Sequence, residues 1–438
     1  MHRRIMPVVL AGMLLLAACS QGSGAQETSS PPAGEGTPTT EDEAEPATTN
    51  QAEVEPQTTT APTASGPTDL PVSEAFGPAL WSAEMVGEPI LTSDRVVYLD
   101  GEQVRALDAS GEQVWEVSWS DPAITTMQGT YPHLRLVSPD TVALLNGGRS
   151  EGEGLSTATF SINVTLIKVE DGSTKVVNIP VQGASDSGMP APDSLGAALA
   201  LPEDDSMGAD LLPTAVLASG EVREGPIPED ERVSGALAIG DHVLSTWGSV
   251  PDGFFGDGWD SLSTAPSPEH SRAGVLGSDA DSLILGVWET TTVSDHDVRY
   301  QVLDVGDGTV VAEPECGVPL PMMASRPNPE VMATSPDREW KAIGSLRLNP
   351  ETEPECFGGG TDERTVTLTA ITDEGRAFGV ADEPGHASTP LQVDLAPDGT
   401  VTTHEAPTHG PSAPIGFLAG DLAVHWHDDI LTVNPLAD

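Results

Sequence analysis

The chain has 438 residues, long enough for a large core, with 18 basic residues against 68 acidic ones and a formal net charge of −50. A surface that acidic repels phosphate backbones, which excludes nucleic acid as a partner. It also repels anionic lipid headgroups, so any membrane contact has to come from an anchor. Glycine (45) and proline (39) are abundant, and no stretch after residue 30 sustains apolar positions at helical spacing, so the chain reads as all-β. The charge is first of all a solubility trait; a cation-binding or basic-partner-binding face is the sharper alternative.

The chain opens with MHRRIMPVVLAGMLLLAAC. Arg3 and Arg4 form a positive start, Ile5 to Leu16 an apolar run, and small residues precede Cys19. The run is too short for a spanning helix. LAAC, from Leu16 to Cys19, resembles the bacterial lipobox. The resemblance implies a lipoprotein signal peptide over residues 1–18, cleavage before Cys19, and diacylation of that cysteine with chains such as palmitate. The protein would then be lipid-anchored on the extracytoplasmic side of the cell membrane, since two acyl chains hold where one does not. The other reading is an ordinary secretory signal with an incidental cysteine.

Residues 19–70 are rich in Thr, Pro and Glu and carry neither Lys nor Arg. Such a segment cannot bury enough surface to offset chain entropy, so it is expected to be a disordered tether. As a coil it spans roughly 40 Å, and in extended polyproline form ~150 Å. Its Thr and Pro content is compatible with O-glycosylation.

From residue 71 to 438 the composition changes to β-branched runs broken by Gly, Asp and Pro. VYLDGEQVRALDASGEQVWE, from Val97 to Glu116, packs three strands and two turns into one short stretch. Its second turn recurs as VEDGSTKV from Val169, LASGEVRE from Leu217, LDVGDGTVV from Leu303 and LAPDGTVTT from Leu395. Each is a strand, a glycine turn and a strand, the glycine supplying the positive φ of a tight hairpin. A preceding strand recurs with its own polar turn at Ser93, Ser138, Gly240, Ala280, Ser335, Thr372 and Gly420, with a weaker copy at Leu195. The spacing is about 47 residues, the period of a four-stranded propeller blade.

RALDASGEQVW, from Arg105 to Trp115, resembles the blade signature of the quinoprotein (PQQ-like) β-propellers. The resemblance implies a single propeller of seven or eight four-stranded blades. It also brings in scaffold lipoproteins that help assemble envelope machinery, as well as quinone-dependent enzymes. PALWSAEM, from Pro78 to Met85, matches the outer strand QVWEVSW, with Trp81 in the place of Trp115, while LAVHWHDDILTVNP, from Leu422, has no outer strand after it. The N-terminal strand is therefore expected to complete the last blade and close the ring. Two candidate blades, near Gly240 and Ser335, lack an outer hairpin and are interrupted by residues 248–272 and 349–363. The alternative fold is a pair of β-sandwich domains.

With Cys19 assigned to lipid, Cys316 and Cys356 remain as a pair in an exported chain, and a disulfide is the expectation. It would close a loop of about 40 residues, worth ~4 kcal/mol in the chain-entropy model. No C-x-x-C is present, so zinc and redox roles are not expected. His425 and His427, beside Asp428 and Asp429, share one face of a strand, which suits either a metal or a solvated strand end; the second reading is preferred and no metal is assigned. SDADS, from Ser278, and DVGDGT, from Asp304, are acidic but read as turns rather than calcium loops. No cofactor constellation and no G-x-S-x-G are present, so no catalytic residue is assigned. Phe254, Phe255 and Trp259 sit in a Gly/Asp-rich segment, a candidate ligand or partner loop; the plainer reading is that they fold back and cap the blade. The expectation is a monomeric, non-catalytic, lipid-anchored binding or assembly scaffold whose partners are envelope proteins. A solute or polysaccharide receptor is the first alternative and a propeller enzyme the second.

Overall fold

The computed structural model describes residues 70–119, 125–126, 133–150, 159–181, 198–199, 214–224, 235–246, 255–259, 270–290, 298–314, 330–349, 352–357, 365–382, 391–407, 410–411 and 413–437. Every regular element among them is a strand, and all belong to the compact unit Thr49–Asp438. The strands form eight sheets that follow one another in chain order. Six have four strands or more and two have three among the described residues. In blade 1 the order from first to fourth strand is Val86–Leu91, Arg95–Asp100, Gln103–Asp108 and Gln113–Ser118. The all-β propeller read from the repeats is the observed fold, and the five hairpins predicted from their glycines are all paired.

Both faces of a blade are apolar because successive side chains of a strand point to opposite faces. In blade 1, Val96 and Tyr98 turn one way while Val97, Val104 and Ala106 turn the other. Each of the eight apolar clusters straddles one seam between successive blades. First strands of neighbouring blades approach one another, which places them at the centre.

The ring closes as the sequence predicts. Trp81–Glu84 lies antiparallel on Ile430–Pro435, with Trp81 opposite Val433. The chain is pinned further upstream by hydrogen bonds from Gly77 N to Pro435 O (2.8 Å) and from Ala437 N to Ala75 O (2.9 Å). Phe76 enters the seam between blades 7 and 8, with ring centroids 5.2 Å from Phe378 and 4.6 Å from His425. Register is fixed by polarity. Trp81 and Ala83 face the apolar cluster shared with blade 1, and Ser82 faces the other way, so a slip by one residue would exchange them.

Trp81 and Trp115 are equivalent in space as well as in sequence. Trp81 Nε1 donates to Ala109 O (2.9 Å) and its ring covers Gly111; Trp115 Nε1 donates to Val169 O (2.8 Å) and covers Gly172. Both glycines have positive φ, and an added Cβ would sit 2.8 Å from the indole. Each outer tryptophan therefore locks its blade to the hairpin turn of the next, and the turn needs glycine for its backbone and for the space.

The two interrupted blades also resolve. Segment 248–272 supplies the third strand of blade 4, Phe255–Gly256, the outermost among the described residues, and segment 349–363 supplies the fourth of blade 6, Glu355–Cys356. Blade 6 has no outer tryptophan, and Arg347 takes over the lock. Its side chain is buried at 1% exposure. It donates to Gly375 O, Ala396 O and Pro397 O of blade 7, pairs with Glu355, and lies against the rings of Trp340 and Phe357.

Two outcomes test these locks. Trp81→Ala should cost about 3–5 kcal/mol in denaturant unfolding, because it empties a core site and frees the closing strand. Arg347→Ala should cost about 3–5 kcal/mol, since it leaves three carbonyls and Glu355 without their cation, whereas Glu355→Gln, at a half-exposed acid, should cost under ~1 kcal/mol.

Candidate functional site

Neighbouring strands are antiparallel within each blade, so turns alternate between two ends of the ring. One end carries the first-to-second and third-to-fourth turns, which are short among the described residues: Leu91 to Arg95, Ser138 to Thr141, Asp108 to Gln113 and Leu395 to Val401 are examples. The opposite end carries the long connections, including Ser150 to Thr159, Leu199 to Thr214, Thr246 to Phe255, Ala312 to Glu330 and Glu405 to Gly416. Residues 75–77 meet Pro435, Leu436 and Ala437 at the short-turn end, because the closing strand runs from Trp81 away from that end, whereas Glu74 reaches His404 and Pro71 lies against Gly410 in the connection from Glu405 to Gly416.

The acidic turns use their carboxylates locally. Asp279 is buried at 1%, and its Oδ1 accepts from Asp281 N, Ser282 N and Leu283 N at 2.9–3.0 Å. Its Oδ2 lies 3.4 Å from Lys341 Nζ of blade 6, a buried pair across the seam. Asp304 accepts from Gly306 N and Asp307 from Thr309 N. SDADS and DVGDGT are therefore turns in space, as read. The Ser138 hydroxyl, with Lys168 behind it, holds the Asp140 carboxyl down at about 2. Asp373 goes the other way: partial burial raises it, with Asp337 and Asp421 of the flanking blades adding to the effect.

The aromatic segment divides. Trp259 is buried at 6%, donates from Nε1 to Val305 O (2.7 Å) and covers Gly308, whose added Cβ would sit 2.6 Å from the ring. It is a third copy of the tryptophan lock. Phe255 packs against the same cluster from the third strand, and Phe254 lies outside the described residues. The fold-back reading describes Trp259 and Phe255. The sequence cue was available in the Gly-Asp-Gly-Trp run, but nothing in it marks which turn the indole covers.

His425 and His427 do not converge on a shared site. His425 is buried at 1%, while His427 is partly exposed with Nε2 3.4 Å from Asp428. Among the described residues no group of three or more His, Cys, Asp or Glu is arranged to hold a metal. Cys356, in the outer strand of blade 6, is not a free thiol, and its expected partner Cys316 lies outside the described residues, as does Cys19.

His425 belongs to a buried polar face on blade 8. Ser82, Thr432 and His425 form one row across three strands, and Asn434 stands two residues on. Asn434 Nδ2 donates to Gly77 O (3.0 Å), which turns its Oδ1 toward His425 Nδ1 at 3.2 Å. Nδ1 therefore carries the proton and Nε2 is a bare lone pair. Burial pushes the ring down to about 4, against a smaller opposing effect of the Asn434 bond. Sequence reading weighed this histidine as a metal ligand or a solvated residue; burial decides for neither.

No family model matches the sequence, and no curated protein matches it. Solved structures do match. An uncharacterized protein from Listeria monocytogenes is 10% identical, covers 83% of this chain and 93% of its own, and has a TM-score of 0.36. Virginiamycin B lyase from Staphylococcus aureus is 10% identical over 89% and 99%, with a TM-score of 0.31. BamB from Moraxella catarrhalis is 13% identical over 80% and 71%, with a TM-score of 0.23. At these values the comparisons speak to fold alone, and the fold rests on the strand pairing described above.

His425 makes a pH prediction. Its ring binds a proton near pH 6.5 when unfolded and only near 4 when folded, so the unfolded chain holds more protons between those values. The stability it contributes is complete above about pH 6.5 and falls by ~3 kcal/mol as pH drops to about 4. Unfolding titrations should show this slope in the parent protein and a flatter one in His425→Gln.

Proposed function

We propose that the protein is a lipid-anchored, extracytoplasmic scaffold: a monomeric, non-catalytic propeller held on a tether and presenting one end of its ring to envelope protein partners. The observation that supports this reading is the polarity of the ring. The turns between described strands are short at one end, and long connections gather at the other. Long connections are where recognition residues concentrate, so the end that carries them is the one offered to partners. Anchoring is proposed through Cys19, and a Cys316–Cys356 disulfide is proposed to fasten blade 6, whose strands are short.

Photo-reactive residues placed in the full-length chain test the polarity in its own cell. Glu102 and Asp429 stand exposed at the long-connection end, Glu112 and Glu170 at the short-turn end. Crosslinks to the same envelope proteins are expected from the first pair and not the second. Crosslinks only from the second pair would reverse the proposed face, and none from either would remove the scaffold reading. Cys19→Ser should release the protein from the membrane fraction; retention would remove the anchor.

A further inference from the structure

The seam between blades 7 and 8 differs in kind from a seam such as that between blades 1 and 2, where the facing residues are valines, leucines and a tryptophan. On blade 8, Leu431 and Val433 face blade 1, so Thr432 and Asn434 face blade 7. On blade 7, Val393 and Leu395 face blade 6, so Gln392 and Asp394 face blade 8. Ser82, His425, Asn434, Thr432 and Gln392 are each exposed by 1% or less. The two faces meet around Phe76, Phe378 and Phe417.

The hydrogen bonds of this seam can be counted. Arg376 holds Asp394 through two bonds of 2.9 and 2.6 Å, so that pair is satisfied and neutral in sum. Asn434 is satisfied by His425 and Gly77. Two buried atoms are left without a partner among the described residues, Gln392 Nε2 and Thr432 Oγ1. They are complementary: an amide that donates, and a hydroxyl that both donates and accepts. His425 Nε2, across from Thr432, adds a lone pair that accepts. Buried polar groups of native proteins are nearly always paired, with ordered water if not with protein.

We propose that the seam between blades 7 and 8 is a built internal hydration site, in which ordered water accepts from Gln392 Nε2, bridges to Thr432 Oγ1 and donates toward His425. The ligand is uncharged. An ion would meet no net opposing charge there, since Arg376 and Asp394 cancel, Glu74 beside His404 stands in solvent at 87% exposure, and the groups that line the site are neutral amides, hydroxyls and an uncharged imidazole. The site lies at the joint where the N-terminal segment completes the ring, with Phe76 against His425 and Gly77 bonded to Asn434.

A double-substitution cycle in the full-length protein tests this. Thr432→Val and Gln392→Met keep side-chain volume and remove one partner each. If water is shared between them, each single change should lower Tm by about 2 °C, and the double change should lower it by less than the sum. Singles that raise Tm would mean the atoms are dry, and strictly additive losses would mean they share nothing; either overturns the proposal. Water relaxation dispersion gives an independent reading that does not depend on stability. The double variant should hold fewer long-lived internal waters than the parent, and an unchanged count would overturn the site.

Discussion

The constraint on which this fold depends is that no blade has a solvent face. Alternation along the strands puts apolar side chains on both sides of each sheet, so every blade needs two neighbours and the row of eight must return on itself. The return is made by four residues, Trp81–Glu84, whose pairing with Ile430–Pro435 supplies the last outer strand. An open ring would leave both an unpaired edge and two apolar faces in water. The segment ahead of the strand, with Phe76 inserted between blades, makes closure a matter of packing as well as pairing.

Three kinds of chemistry hold the seams. The first is the indole on a glycine turn, used by Trp81, Trp115 and Trp259, each giving its Nε1–H to a carbonyl of the turn it covers. The second is Arg347, whose planar fork satisfies three carbonyls of the next blade at once while its flat faces pack on aromatic rings. The third is the polar seam at the closing joint. It gives up apolar area, and its hydrogen bonds are directional. Directionality suits the one place where the chain's two ends must find a single register, because Asn434 reaches Gly77 and Ser82 meets Thr432 only in the observed pairing.

The same topology separates construction from presentation. The short-turn end is consumed by structure: its carboxylates bind their own turn amides or a neighbouring blade. The long connections are collected at the other end by nothing more than the alternation of antiparallel strands. The fold alone selects neither a role in binding nor one in chemistry.

The sequence by itself determined the local elements. Hairpins were legible because a glycine with positive φ between alternating strands is a signal carried within a few residues, as at Gly111, Gly172, Gly220, Gly308 and Gly399. Ring closure was legible because it is a matching problem: Trp81 repeats the place of Trp115, and the last blade lacks an outer strand. Tertiary structure decided what depends on partners distant in sequence. Segments 248–272 and 349–363 looked like interruptions, since the strands Phe255–Gly256 and Glu355–Cys356 within them are two residues long and take their pairing from the neighbouring strand rather than from their own propensity. Trp259 became a seam lock, and not a recognition residue, because the glycine it covers lies in the next blade. Arg347 has no sequence signature, as its carbonyl partners come from two turns of another blade. His425 read as an exposed strand end because alternation reveals which residues share a face but not which face is buried; that was settled by Phe76 and Asn434 closing over it.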